Sequence, residues 1–389
     1  MSKAQIECGN FAKAYQSLHE AFHKYNPTST ILKKQLLHTQ YINSQFEAGR
    51  QHYENCEYAS ASATFGSLLR LTKAKVVILS AVRADLKLGL IDQAMRLSLQ
   101  VIRSDTQNAE GYEVRGLGMF LSGDDLESSC KLLRQALRLD PDNEEAKITL
   151  RKCRKVDKFM KEGRKSFFHR KFDDAVIQFT NALKESDPLP TKAPLYSILH
   201  AERGEVHLRL KNYNIALQDA SNAIYSREDH VTAWLVKTKA YHGLGRHEEA
   251  KEELDDLMGK WGSGNDKIRK ASEDTNFQIR RLKRPDFYKL FGISSIASEM
   301  EIKKQYKVKA MELHPDRFCG NQYTDADRDK ASEQFKLLGD GLEILCDDFK
   351  RNLYDEGFDQ EAIRERVTMA EQAAHRKPGS NFHGHRGHN

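Results

Sequence analysis

Glycine and alanine recur in this chain at the intervals a helical hairpin needs. Gly163, Ala175 and Ala182 are separated by 12 and 7 residues, and Gly204, Ala216 and Ala223 repeat both intervals. Gly49 and Ala61 repeat the 12, with Ala94 and the small Ser128 further along. Ala216 and Ala250 lie 34 apart, and Trp234 and Tyr241 continue the register between them. Small residues let one helix of a pair approach the other closely, where a large side chain would hold them apart. Elsewhere apolar residues keep helical spacing, strand-like alternation is absent, and only 8 prolines interrupt 389 residues. An all-α chain follows, and the fixed period selects a repeat array over a simple bundle.

Two antiparallel helices per repeat of about 34 residues is the tetratricopeptide pattern. It predicts a tetratricopeptide-repeat α-solenoid with a first block at 38–150 and a second at 151–262. Gly9, Phe11, Ala14, Ala21 and Pro27 match the second half of a repeat. Residues 1–37 therefore read as a partial repeat whose first helix would lie before Met1. Longer spacings separate Ser128 from Ala175 and Ala175 from Ala216. The first holds Lys147 to Lys165, expected to be an elongated helix joining the blocks, its charges a solvated face. Proline after Asp140 and after Asp187 ends a helix in each case. Past the breaker cluster Gly259 to Gly264, residues 263–284 read as a basic linker helix ending in Arg280, Arg281, Lys283 and Arg284. A nuclear-localisation patch is the other reading of that basic run.

Composition matters mainly for what it excludes. The net charge of +6 is spread over 62 basic and 56 acidic side chains, too mixed to argue for nucleic acid. Six scattered cysteines, none in a C-x-x-C pair, suggest a reducing compartment and no metal framework. The first ten residues lack the apolar core of a signal peptide, and no apolar run reaches membrane-spanning length. The C-terminus carries no retention signal for the endoplasmic reticulum. A cytoplasmic protein with nuclear entry open is expected, with neither nucleic acid nor membrane as partner. No glycine-rich phosphate loop followed by Lys-Ser/Thr occurs, so no cofactor is expected, and no constellation of histidines, cysteines and carboxylates supports an enzyme.

From Pro285 the pattern changes. Asp286 to Ile293 forms a short helical turn closed by Gly292. Ser298 and Glu301 have capping-box spacing and start a helix with an inner face of Ile302, Tyr306, Ala310 and Leu313. Lys303, Lys304 and Lys307 occupy its outer face. His314-Pro315-Asp316 ends it, because proline cannot continue a helix. A polar loop leads to a second long helix with a stripe of Phe335, Leu338, Leu342 and Leu345, predicted to pack antiparallel to the first. Arg351, Tyr354 and Asp355 close the unit.

The opening turn, the Ile-Lys-Lys-x-Tyr helix, the His-Pro-Asp loop and the Arg-x-x-Tyr-Asp end together resemble a J domain over residues 285–358. The repeats followed by this domain are similar to DnaJ class C co-chaperones of the cytosolic tetratricopeptide-repeat type. That resemblance implies a non-enzymatic partner of 70-kDa heat-shock chaperones that stimulates their ATPase. It assigns partner binding to His314, Pro315 and Asp316 with Lys303, Lys304, Tyr306 and Lys307. The basic face would steer docking, Asp316 would meet a partner arginine, Pro315 would keep the loop stiff and His314 would orient it. Val308 stands where the family commonly has a second basic residue after the tyrosine, which predicts weaker docking.

The family also implies client binding by the repeats, and in some repeats a clamp of lysine, asparagine and arginine for the acidic tails of 70- and 90-kDa chaperones. Here those positions fall on Met160, Arg164, Glu202, Thr232 and Val236, so tail binding is not expected and the 90-kDa chaperone is the weaker partner. Residues 359–389 read as a tail, helical over Glu361 to Ala374 and then disordered. The histidines at 375, 383, 385 and 388 in it are not expected to hold a metal. The alternative to a co-chaperone is a repeat scaffold with a weak or silent J domain.

Overall fold

A computed structural model describes residues 2–261, 265–318 and 324–375. Every regular element among them is helical, and they fall into two compact units, Met1–Arg246 and His247–Asn389.

The first unit opens with α1 (Ser2–Glu7), α2 (Phe11–Glu20) and a π-helical turn, Ala21–Tyr25. A short helix, α1, thus precedes α2 within the chain, where spacing put the first helix of that repeat before Met1. There follow α3 (Thr30–Glu54), α4 (Tyr58–Leu68), α5 (Lys75–Leu88), α6 (Ile91–Ser104), α7 (Ala109–Ser122) and α8 (Leu126–Leu139). The unit continues with α9 (Glu144–Phe168), α10 (Phe172–Ser186), α11 (Pro194–Arg209), α12 (Tyr213–Ser226) and α13 (Val231–Gly243). From α3 onward each helix packs on its successor, as a solenoid of helical hairpins requires. The lines drawn at 37/38 and 150/151 fall inside α3 and α9, which run through them unbroken.

The small residues sit at the contacts their spacing predicts. Ala61, Ala175, Ala182, Ala216 and Ala223 are all fully buried. A Cβ on Gly163 would stand 2.9 Å from the ring of Phe179, and one on Gly49 2.7 Å from Phe65. Each phenylalanine lies one turn after the alanine of its hairpin, so ring and missing side chain form a matched pair. Ser128 is a correction. It is half-buried beside the cap of α8, donating its N–H to Asp125 Oδ1 at 2.9 Å. Ser129 is the fully buried residue, and its hydroxyl donates to Gly116 O at 2.7 Å. The register steps by one because the cap takes up Ser128, and the 7-residue step then holds from Ser129 to the fully buried Ala136.

The turns between paired helices use one device. Cys56, Arg170 and Lys211 adopt φ of 61°, 60° and 59°. The next amide donates back to a carbonyl five residues earlier: Glu57 to His52, Lys171 to Ser166, and Asn212 to His207, at 2.8 to 2.9 Å. Gly89, with φ of 80°, makes the same turn after α5. Left-handed residues here satisfy the last carbonyls of the first helix and turn the chain into the second.

The second unit holds α14 (His247–Trp261), α15 (Asp266–Lys283), α16 (Phe287–Phe291), α17 (Glu299–Leu313), a 3-10 turn (Pro315–Phe318), α18 (Asp325–Leu345), α19 (Asp348–Glu356) and α20 (Gln360–His375). Helix α14, which spacing put in the second repeat block, packs on α15, with Lys283 and Glu248 paired at 2.7 Å. Helix α15 is more than a linker. Phe277 stands edge-on to Phe358 at 5.2 Å, and the Arg284 guanidinium lies 4.2 Å over the Tyr354 ring while donating to the Tyr354 carbonyl. Helix α20 contains the helical part of the tail. Residues 376–389, with His383, His385 and His388, lie outside the described residues, as do Cys319 and the second half of the Gly259–Gly264 cluster. Among the described residues no helix is long and apolar enough to cross a membrane, and no group of three His, Cys, Asp or Glu is placed to hold a metal ion.

Candidate functional site

The site is a helix end built on a small apolar core. Phe287, Phe291, Ile302, Leu338 and Leu345 fill that core, each at most 2% exposed. Helices α17 and α18 form the expected hairpin, and α16 packs against both. A Cβ on Gly341 would come 2.7 Å from Phe291 and 2.9 Å from Phe287, so α18 can approach α16 only with glycine there. The stripe read from spacing omitted Gly341 because it lacks an apolar side chain; the buried Ala331 and Ile344 were also missed.

The start of α17 is fixed by its cap. Ser298 N donates to Glu301 Oε2 at 2.8 Å, and Glu301 N to Ser298 Oγ at 3.4 Å. The hydrogen bond from the Ser298 amide, followed by that from its hydroxyl, holds the Glu301 carboxyl below its usual range. At the far end of the unit, Arg351 donates to the carbonyls of Ser295 and Ala297 at 3.0 and 2.8 Å and to the Tyr288 hydroxyl at 3.2 Å. Tyr288 donates to Asp355 Oδ1 at 2.8 Å. The Tyr354 hydroxyl accepts from Phe287 N at 3.0 Å and donates to Pro285 O at 2.9 Å. Arg351, Tyr354 and Asp355 therefore stitch α19 to the opening turn and to the loop before α17.

Along α17, Ile302 is buried, Tyr306, Ala310 and Leu313 are half-buried, and Lys303, Lys304 and Lys307 are exposed. The helix thus presents the two faces its sequence predicted. Lys303 is paired with Glu299 at 2.5 Å, and that hydrogen bond raises its pKa above the usual lysine value. Lys304 and Lys307 have no hydrogen-bond or ion-pair partner among the described residues. Tyr306 faces inward, its ring stacked 6.5 Å from Phe291; it supports the helix and does not join the lysine face. Val308, Met300 and Met311 are 44%, 83% and 70% exposed. Helical spacing puts Met300 and Met311 on the arc the lysines span and Val308 about 40° beyond Lys304, so the outer face is basic and apolar together.

His314, Pro315 and Asp316 follow directly. The Asp316 amide donates to His314 Nδ1 at 3.3 Å, which places the imidazole proton of the neutral ring on Nε2. His314 meets Phe335 edge-on at 5.5 Å and 80°, anchoring the loop to α18. Arg317 N donates to His314 O at 3.0 Å, Arg317 to Met311 O at 3.2 Å and Arg328 to Phe318 O at 3.0 Å. The Asp316 carboxylate is 86% exposed, 3.4 Å from His314 Nδ1. A braced loop thus holds an accessible carboxylate at the end of a helix that carries exposed ammonium groups. The bracing by Phe335, Arg317 and Arg328 was not legible in the sequence, since their partners are ring faces and carbonyls.

In the first unit, the positions of the chaperone-tail clamp are occupied otherwise. Met160 and Val236 are buried. Arg164 is bound to Glu202 by two contacts of 2.9 and 2.5 Å. Thr232 is exposed. Arg164 is thus the one cation among these five positions, and it is paired.

A repeat solenoid joined to a small helical unit with a braced His-Pro-Asp loop defines the class: a J-domain protein with tetratricopeptide repeats. Residues 286–355 match the model of the DnaJ domain, and the chain is a homologue of the DnaJ subfamily C members. It is 30% identical to human DnaJ homolog subfamily C member 7 over 274 residues, covering 70% of this chain and 53% of the relative. Against the fission-yeast (Schizosaccharomyces pombe) homolog of member 7 it is 30% identical over 272 residues, covering 70% and 54%. The chain thus spans about half the length of these curated relatives. The crystal structure of the P58(IPK) TPR domain superposes with a TM-score of 0.51 at 14% identity, covering 73% of this chain and 79% of that one. The likeness supports the repeat fold alone.

Proposed function

We propose that this chain is a co-chaperone without an active site of its own. Its J domain docks on a 70-kDa heat-shock chaperone and stimulates that partner's ATPase, while the repeats hold client polypeptide for folding. One observation carries the reading: the exposed Asp316 carboxylate, on a loop braced by Phe335, Arg317 and Arg328, stands at the end of a helix presenting Lys303, Lys304 and Lys307. Such a surface suits an acidic patch that offers an arginine to Asp316. Little ordering entropy is lost when a stiff loop docks. Cytosolic location, with access to the nucleus, belongs to the same proposal and is checked by imaging the tagged chain.

A steady-state ATPase assay with a cytosolic 70-kDa chaperone tests it. Stimulation by the wild-type chain should fall to the unstimulated rate in His314→Gln and in Asp316→Asn. Absence of stimulation at saturating wild-type chain would leave the repeat-scaffold reading in its place.

A further inference from the structure

The longer step between Ala175 and Ala216 has a structural consequence in the first unit. Its extra residues form the connection from Ser186 to Pro194, which folds back against α9. Lys152 donates to Asp187 O at 2.7 Å, and Lys155 pairs with Glu185 at 3.0 Å. Pro188, Leu189 and Pro190 thereby wall one end of a cavity of about 260 Å³. Its other walls come from α3, α5, α7 and α9, the first helices of four successive hairpins.

The lining is ordered along the helices. One layer holds charge: Arg83 from α5, Glu113 from α7 and Glu145 from α9, with Tyr53 of α3 beside them. Arg83 donates to Glu113 at 2.9 Å and lies 3.5 Å from Glu110. Two carboxylates thus share one guanidinium, a third, Glu145, lines the same layer, and Glu113 is 2% exposed. Burial pushes the Glu113 carboxyl up; Arg83 opposes this and Glu145 adds to it, leaving the group at about 7. The next layers are apolar, with Leu86, Leu117, Phe120 and the half-exposed Ile148. Lys87 lies one turn beyond Arg83, and Lys152 two turns beyond Glu145, at the proline-walled end. Charge is therefore separated along the cavity: a surplus of carboxylate at one end, apolar walls between, ammonium groups at the other.

We infer that this cavity takes an extended polypeptide segment with a lysine or arginine beside large apolar side chains, the cation seated between Glu113 and Glu145. The inference rests on the client-holding half of the function proposed above and narrows it to one chemistry. A cation at that place supplies the charge that Arg83 alone cannot, while apolar neighbours cover Leu117, Phe120 and Ile148. Seating it drives the proton held by the Glu113 carboxyl into solvent, so affinity rises with pH through the region where that carboxyl titrates.

Fluorescence anisotropy of the full chain with two labelled peptides tests this. One peptide alternates leucine, phenylalanine and arginine; the other has citrulline in place of each arginine. The expected result is at least about fivefold tighter binding of the arginine peptide at about pH 8, shrinking to less than about twofold at about pH 6. Glu145→Gln, at an exposed site where folding is not at stake, should erase most of the preference. Ile148→Ser should weaken both peptides. Equal affinities at both pH values, or a preference unchanged in Glu145→Gln, overturn the cation seat and leave client binding standing. Failure of both peptides to bind overturns client binding by this cavity as well.

Discussion

His314 and Asp316 show what a residue gains from its neighbours. Each is an ordinary side chain at a helix end; Phe335 on the ring and Arg317 on the preceding turn make them a shaped surface. Val308 belongs to the same surface. Its 44% exposure at the edge of the lysine face gives an arginine there room to reach an acidic partner. Val308→Arg should tighten binding to a 70-kDa chaperone about two- to fivefold, the ~0.5–1 kcal/mol of a rim charge pair. Titration calorimetry at low and high salt checks it, and the gain should fade as salt screens the charge. Unchanged affinity at low salt would remove Val308 from the docking face. Glu113 carries a second residue-scale expectation. In the folded chain its carboxyl keeps a proton up to about pH 7, whereas an unfolded glutamate releases it near about 4.3. The folded state binds more protons between these values, so stability falls as pH rises through that window and levels off above it. Urea unfolding at about pH 5 and about pH 8 should show a smaller loss in Glu113→Gln than in the wild type, by on the order of 1–3 kcal/mol.

Helices follow from spacing, and their ends follow from chemistry that spacing does not contain. The intervals of 12 and 7 located the buried alanines, and the Ser298 capping box appeared as expected. Cys56, Arg170 and Lys211 gave no such warning, because left-handed turns usually announce themselves with glycine. Lys211→Gly should therefore stabilise the first unit by about 0.5–1 kcal/mol, the left-handed strain relieved less the extra chain entropy lost on folding. A higher urea midpoint at constant slope is the expected readout. A lower one would mean that Lys211 bears no strain. The one-residue slip from Ser128 to Ser129 has a similar origin. Two adjacent serines are indistinguishable by size, and only the cap at Asp125 decides which faces α7.

At the scale of the molecule, the two compact units divide at Arg246, not at the end of the last repeat read from spacing. Helix α15 shows why a composition-based boundary misleads. Its basic end looks like a connector, yet Arg284 and Phe277 pack on Tyr354 and Phe358. A fragment of residues 265–375 should be more stable than one of residues 285–375 by about 2 kcal/mol, since the shorter piece loses an aromatic pair and a stacked, hydrogen-bonded guanidinium. Thermal unfolding of the two pieces measures this, and equal midpoints would return α15 to the role of a linker.

Periodicity, the capping box and the order of residues around His314-Pro315-Asp316 were enough to establish an all-helical repeat array ending in a J domain. These are local facts: which face is apolar, where helices begin, and which tripeptide stops one. Residues far apart in the chain supplied the rest. Arg351 reaches back more than fifty positions to the Ser295 and Ala297 carbonyls, Phe335 meets His314 across a hairpin, and Pro188 closes a cavity begun at Tyr53. Such contacts depend on where the packed core brings separate helices together, and hydrogen bonds to carbonyls and ring faces leave no mark in sequence spacing.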